Sequence, residues 1–322
     1  MKKVLIIDAL NMFFRCYARD PSLALSGNPA GGCVGFMKSL QKSIRLTQPD
    51  DVIIVWDGGG GSRKRRTINK NYKLGRKVVH LPKDMNISMD ATEELQNKIW
   101  QQTRLLEYLD ALPICQFMFE DVEADDVISE IVQSREVADW HKVILSNDRD
   151  FMQLCDETTI LCRPAKKPWE VLNTKRIIEE FQVHPKNMAL ARAIIGDKSD
   201  NLPGVPGVGF GRVKSNFPFL AEEEEYTVQD LMEIVEEMND KKPTKVLQSI
   251  LENKEEVQQN YRIMQLYQPS ISYQNKQIVN STLAEREKLF NMTQFRMLMV
   301  EDGFVSISWN VLESTMRRIV DG

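Results

Sequence analysis

The chain predicts an α/β fold: a central, mostly parallel sheet flanked by helices, followed by a helical C-terminal region. Three observations carry this. Through about residue 165, short apolar and β-branched runs alternate with amphipathic stretches, the pattern of strand–helix units that build a parallel sheet. Beyond about 165 these runs give way to helical periodicity. Carboxylates also recur just after the apolar runs, as expected where strand ends line a ligand crevice.

Taken in order, Val4-Leu5-Ile6-Ile7 before Asp8 predicts a strand near 3–8, and Val52-Ile53-Ile54-Val55-Trp56 before Asp57 a second near 51–56. From Gly58 to Lys83 there is no acidic residue, while Arg63, Lys64, Arg65, Arg66, Lys70, Lys73, Arg76, Lys77 and Lys83 are basic. Four glycines, this basic tract and Pro82 make 58–90 a loop, or a helix that orders on binding. Residues 91–110 predict a helix with Leu95, Ile99, Leu105, Leu106 and Leu109 toward the core.

Phe117-Met118-Phe119 marks a strand near 114–119. A helix opens at Val122-Glu123-Ala124-Asp125-Asp126, with Ala124, Val127, Ile128 and Ile131 as its buried face. Glu123 and Asp125 flank that face, roughly 100° to either side, and Asp126 points more nearly away from it. Strands follow near 142–146 and 159–163, and between them lies Ser146-Asn147-Asp148-Arg149-Asp150. An extended backbone there puts both aspartates on one side. Helices are expected over 174–195, ending at Gly196, and over 228–238 and 244–266. Short apolar runs such as Met297-Leu298-Met299-Val300 in the last fifty residues carry no assigned function.

At 322 residues the chain can hold one large domain with a helical extension, or two domains. A net charge of −4 argues against a uniformly basic nucleic-acid binder, but the positive charge is local. Cys16, Cys33, Cys115, Cys155 and Cys162 form no C-x-x-C pair, so buried thiols in a reducing compartment are expected and zinc is disfavoured. His80, His141 and His184 lie in no ligand-like spacing. The N-terminal run shows no cleavage site and no run reaches membrane-spanning length; a cytoplasmic protein without a membrane partner is expected.

The chemistry lies in nine carboxylates: Asp8, Asp57, Glu123, Asp125, Asp126, Asp148, Asp150, Asp197 and Asp200. Side-by-side strands would aim them into one pocket, where they need cations or protons. Divalent metal ions are the obvious neutraliser. The bland readings are acids favoured in a first helical turn for Glu123–Asp126, and an N-cap loop for Asp148 and Asp150. Gly204-Val205-Pro206-Gly207-Val208-Gly209 lets backbone N–H groups approach an anion, as a hairpin gripping a nucleic-acid backbone would. It lacks the Gly-Lys-Ser/Thr of a P-loop and follows a helix rather than a strand, leaving a tight inter-helix turn as the other reading. Tyr72 beside Lys73 suits single-stranded nucleic acid, with a solvated loop as its bland alternative. Glu222 to Glu225 read as a solvated face.

Val-Glu-Ala-Asp-Asp at 122–126, Ser-Asn-Asp-Arg-Asp at 146–150 and Gly-Asp-Lys-Ser-Asp-Asn-Leu-Pro-Gly-Val-Pro-Gly-Val-Gly at 196–209 resemble the 5′-nuclease family of flap endonucleases, phage 5′-exonucleases and the nuclease domain of bacterial DNA polymerase I. The resemblance covers roughly residues 1–265 and is greatest to a free-standing bacteriophage enzyme of the RNase H type. It implies a PIN-like nuclease core over 1–165 with an arch at about 58–90. A helical region over 166–265 then contains a helix–three-turn–helix hairpin at about 190–216, and 266–322 is an extension of unknown role.

It implies two Mg²⁺ sites, with Mn²⁺ able to substitute, the ions lying about 4 Å apart. Asp8, Asp57, Glu123, Asp125 and Asp148 match the first; Asp150, Asp197 and Asp200 match the second, with Asp126 an additional acid. Lys73, Arg76 and Tyr72 match catalytic positions of the arch. Arg63, Lys64, Arg65, Arg66 and Lys70, with Gly204, Gly207, Gly209, Arg212 and Lys214 of the hairpin, are the implied DNA contacts, and K⁺ is implied at 204–209. The implied activity is 5′-3′ exonuclease and flap endonuclease cleavage of DNA and RNA–DNA duplexes, suited to primer removal in replication. A single-strand-binding protein or clamp would be its partner, in the host cytoplasm. Two departures stand out: Phe217-Pro218 shortens the helix after the hairpin, and the four glycines after Asp57 loosen the arch base. The rival readings are a non-catalytic DNA-junction binder and a PIN-type RNase acting on structured RNA.

Overall fold

β-Branched and aliphatic runs form six strands in the computed structural model, which describes residues 1–85, 87–164, 168–304 and 308–321. They are β1 (Lys3–Asp8), β2 (Asp51–Trp56), β3 (Cys115–Met118), β4 (His141–Leu145), β5 (Thr159–Arg163) and β6 (Glu170–Leu172). The sheet runs β3-β2-β1-β4-β5-β6, parallel throughout except for β6, which is antiparallel to β5. Connections lead outward from β1 to β3 and then return to β4, so the order reverses between β1 and β4. That reversal opens a crevice at the strands' carboxyl ends. Pairing of Asp8 with Val55 and of Ile7 with Leu145 brings the ends of β1, β2 and β4 level around it.

The helices are α1 (Ala9–Tyr17), α2 (Gly31–Thr47), α3 (Arg63–Ile68), α4 (Ala91–Asp110), α5 (Ala124–Gln133), α6 (Thr174–Phe181) and α7 (Pro185–Ile195). Then come α8 (Phe210–Asn216), α9 (Val228–Lys241), α10 (Lys245–Glu252), α11 (Lys254–Met264), α12 (Tyr273–Glu285), α13 (Met292–Glu301) and α14 (Trp309–Asp321). Because strand side chains alternate, the sheet builds two cores. Val4, Ile6, Ile53, Val55 and Ile144 pack with α5, α7 and α11. Leu5, Ile7, Val52, Ile54 and Leu145 pack with α1, α2 and α4, and α13 and α14 add Phe295, Met299, Leu312 and Met316 to that side.

The structure corrects several expectations. The sheet continues to Leu172 through β6, a three-residue strand too short to signal itself; the boundary expected at 165–166 lies outside the described residues. The helix expected over 174–195 is two, separated where Gln182 turns left-handed (φ 54°) and His184 caps a helix beginning with Pro185. The one expected over 244–266 breaks at Asn253. On α4, Leu105 and Leu109 are buried, but Leu95 and Ile99 are 56% and 55% exposed. Polar side chains take their place: Gln101 accepts from Cys33 N (3.1 Å) and donates to Pro29 O (2.9 Å), and Asn97 donates to the same carbonyl (2.9 Å). Hydrogen bonding makes their burial tolerable, so hydrophobic periodicity misplaces the face.

The first of the four glycines after Asp57 makes a tight backbone contact rather than a loose link. Gly58 N donates to Val122 O (3.0 Å), and a Cβ at Gly58 would stand 1.7 Å from Phe119 O, so only glycine lets these backbones touch. As expected, α8 is only seven residues long and ends before Phe217-Pro218. All five cysteines are free and buried. Among the described residues, no helix is long and apolar enough to cross a membrane.

Candidate active site

The crevice between β1 and β4 is framed by their loops. Asp8 ends β1 and caps α1, accepting from Asn11 N (3.1 Å) and from Ser146 Oγ (2.8 Å) across the crevice. Asn11 Oδ1 in turn accepts from Asn147 N (3.1 Å), tying the β1 end to the β4 end. Asp57, after β2, accepts from Ala124 N (3.0 Å), which fixes the start of α5 against the sheet. Glu123, at the N-cap of α5, and Asp125, in its first turn, therefore stand beside Asp57.

Burial pushes the Asp8 carboxyl up to about 7, with the Asp57 charge adding to it. Burial also raises Asp57 and Asp148. For Asp125, burial pushes the same way, but Arg65 and Lys73 outweigh it and hold the group below its ordinary range. Arg65, on α3, is the hub of this side. Its guanidinium bonds Glu123, Asp125 (2.9 Å) and Asp126 (3.3 Å), and Nε donates to Ile263 O (3.0 Å). Lys73 reaches Glu123 Oε1 (2.7 Å), and the Tyr72 hydroxyl donates to Glu123 Oε2 (3.0 Å).

On the other side of the crevice Asp150 opens a short 3-10 turn, and its N–H donates to Asp148 Oδ1 (2.9 Å). The segment is thus curled, not extended, and the two aspartates serve different neighbours. Asp148 faces Asp125 and Asp200, while Asp150 pairs with Arg192. Arg192, buried on α7, also donates to Asp197 Oδ2 (2.6 Å), whose other oxygen accepts from Ser199 N (2.7 Å). Burial raises Asp150 to about 7 despite Arg192. At Asp197 the Ser199 and Arg192 contacts overcome burial and lower the pKa. Asp200 pairs with Arg76. A cavity of about 500 Å³ opens here, with Arg76, Asp148, Arg192, Asp197 and Ser199 in its wall.

All nine predicted carboxylates thus belong to one chain of mutually interacting charges, Asp126 through Asp125 and Glu123. Asp126 turns aside: it is 4% exposed, accepts from Ser270 N (2.7 Å) and pairs with Arg65. Arg65 and Tyr72, read as contacts to nucleic acid, are 6% and 3% exposed and committed to carboxylates, so neither presents itself to a phosphate or base here. Arg63 pairs with Asp121 (2.9 Å), Lys64 donates to Ser270 O (2.9 Å), Arg66 donates to Tyr72 O (3.3 Å), and all three are exposed, as is Lys70. Among the described residues no three His, Cys, Asp or Glu side chains stand as a ligand cluster; guanidinium groups take up the oxygens instead.

The hairpin is fixed by a close backbone crossing: a Cβ on Gly204 would meet Ile195 O at 1.9 Å, and Gly196, at φ +76°, meets Gly204 from the other side. Asn260 of α11 anchors it, donating to Pro203 O (2.8 Å) and Ala193 O (3.1 Å). Gly207 and Gly209 face open space, and Arg212 and Lys214 are exposed beside them. Sequence reasoning missed Arg192. Its signal was a lone cation in the apolar stretch Met188-Ala189-Leu190-Ala191-Arg192-Ala193-Ile194, four residues before the Gly196-Asp197 motif.

A family model described as the N-terminal resolvase-like domain of 5′-3′ exonucleases matches residues 3–182. DNA polymerase I of Bacillus subtilis is 28% identical over 244 residues, 75% of this chain and 25% of that protein. A 5′-3′ exonuclease of Aquifex aeolicus is 28% identical over 210 residues, 65% of this chain and 66% of that one. The chain therefore spans a quarter of the polymerase's length and 66% of the exonuclease's. Among solved structures, T5 5′-exonuclease with bound zinc aligns with a TM-score of 0.63 at 17% identity, over 99% of each chain. The catalytic core of Rad2 in complex with DNA substrate aligns at 0.50 and 14%, over 99% of this chain and 93% of that one. At such identities the shared property is the fold.

Proposed function

Because this chain belongs to the 5′-3′ exonuclease family, we propose that it is a metal-dependent phosphodiesterase cleaving DNA and RNA–DNA hybrids at 5′ ends, flaps and nicks. One observation carries the reading: eight carboxylates from five separate segments converge on the crevice where the sheet order reverses. Their donor chemistry fits hard divalent cations such as Mg²⁺ or Mn²⁺, being all oxygen. Burial, with neighbouring carboxylate charge adding to it, raises both Asp8 and Asp150 to about 7, so a bound cation would favour their ionised forms.

Asp8, Asp57, Glu123, Asp125 and Asp148 would hold one ion, and Asp150, Asp197 and Asp200 a second. When bound, such ions polarise the phosphoryl oxygens and make water a nucleophile at neutral pH. Lys73 Nζ, beside Glu123, and Arg76, beside Asp200, would add positive charge to a phosphate in the crevice. Gly207 and Gly209 would offer backbone to duplex phosphates, with Arg212 and Lys214 adding charge and K⁺ seated at the turn. Products carry 5′-phosphates and 3′-hydroxyls, which suits primer removal beside a single-strand-binding protein or clamp in the cytoplasm.

The test is a 5′-labelled flap, a nicked duplex and an RNA–DNA hybrid, each with and without Mg²⁺. Cleavage is expected in Mg²⁺ only, and Asp148→Asn with Asp150→Asn should lower it by about 10³-fold or more. Full-rate cleavage by that double variant would end the proposal. Tight binding without product would favour a junction binder, and internal cleavage of RNA with the flap untouched would favour an RNase.

A further inference from the structure

The basic tract sits on the very oxygens that the metal reading needs. Arg65 joins Glu123, Asp125 and Asp126 through its two terminal nitrogens and α11 through Nε. Eight residues on, Lys73 binds Glu123 (2.7 Å) and its N–H donates to Asp200 O (2.9 Å), while Asn201 Nδ2 donates to Asn71 O (3.0 Å). The whole run from α3 to Lys73 is thereby pinned to the first carboxylate set and to the 197–202 loop. A guanidinium and a hard dication compete for the same carboxylate oxygens, and Arg65 already holds oxygens of Glu123, Asp125 and Asp126.

We propose that Arg65 is a positioning residue that couples metal occupancy to the seat of the basic tract. Without divalent ions it holds α3, Tyr72 and Lys73 down on Glu123 and Asp125. Ion binding at those carboxylates displaces it, and the released tract turns its positive charge toward phosphate. Metal and nucleic acid then favour one another by linkage, because each prefers the undocked tract. This rests on the metal reading of the site. Arg192 differs: it lies within α7 itself, so an ion on the second set has no separate segment to release.

The experiment is hydrogen exchange of the full chain, without nucleic acid, at zero and saturating Mg²⁺, with Mg²⁺ binding followed by calorimetry. Amides of 63–73 should exchange about tenfold faster in Mg²⁺ while β1 and β4 exchange more slowly. Arg65→Gln should show the fast exchange already without Mg²⁺ and bind the ion about tenfold more tightly. Arg65→Lys, which keeps the charge but cannot span three carboxylates, should fall between. Measured Mg²⁺ binding with 63–73 unchanged or slowed would overturn the proposal and leave the metal reading intact. No Mg²⁺ binding by the wild-type chain would remove both. The wild-type comparison decides the matter even if Arg65→Gln does not fold.

Discussion

The two halves of the carboxylate pocket are neutralised from different distances along the chain. On the β1–β2–α5 side the counter-charges for Glu123 come from Arg65 and Lys73, 58 and 50 residues earlier, on a tract that leaves the sheet and returns. On the β4–α7 side Arg192 lies five residues from Asp197 and is buried in the helix that carries it. The first kind of cation can be exchanged by lifting the tract and Tyr72 from a small apolar cluster with Leu202, Ile263 and Met264; the second cannot move without disturbing α7 and the main core. Similar charge balance thus serves two ends: a replaceable counter-ion on one side and a fixed strut on the other.

The largest expected effect tests the strut. Arg192→Met strands Asp150 and Asp197 beside the core, and urea unfolding of the metal-free protein should show a loss of about 3–5 kcal/mol. Saturating Mg²⁺ should recover part of it. A loss below about 1 kcal/mol would mean that Arg192 is no more fixed than a surface ion pair.

A smaller effect follows from pH. Asp8 and Asp150 are raised by burial from 3.8 to about 7. Between about pH 4 and 7 the folded chain keeps these protons while the unfolded chain has lost them, so stability falls as pH rises through that window. Metal-free protein should melt about 5 °C higher at pH 5 than at pH 8, and Mg²⁺ should narrow the gap by stabilising the ionised form. Asp125 and Asp197, held below their ordinary values, add the opposite slope only at lower pH. A melting temperature that climbs from pH 5 to pH 8 without metal would contradict this reading of the pocket.

The smallest effect separates Asp126 from its neighbours. Its oxygens serve Ser270 N and Arg65, so Asp126→Asn should lower turnover by less than about threefold, whereas Asp125→Asn should cost about 10²-fold or more. Equal losses in single-turnover cleavage would place Asp126 among the ligands after all.

The same contrast explains what could be read in advance. Strands 3–8, 51–56 and 159–163 and the helix 91–110 match the structure because buried parallel strands and capped helices are local signals. The carboxylates were legible for the same reason: each follows an apolar run, and the sheet order brings the runs together. The docking of Arg65 and Tyr72 was not legible, because a basic tract looks alike whether it faces solvent or folds back onto acids 50 residues away. Arg192 was overlooked because a lone arginine in a helix announces no partner. Leu95 and Ile99 misled because Asn97 and Gln101 satisfy their hydrogen bonds against α2 and Pro29, and so occupy the face that these two aliphatic residues were expected to fill.

The central claim is that the two carboxylate sets each hold one divalent ion. Counting Mn²⁺ bound per chain, by calorimetry with electron paramagnetic resonance of the free ion, tests it directly in the absence of nucleic acid. Two ions are expected for the wild-type chain, and one, held by the Asp8–Asp57–Asp125 side, after Asp150→Asn with Asp197→Asn. A single ion in the wild-type chain, or two ions surviving the double substitution, would contradict it.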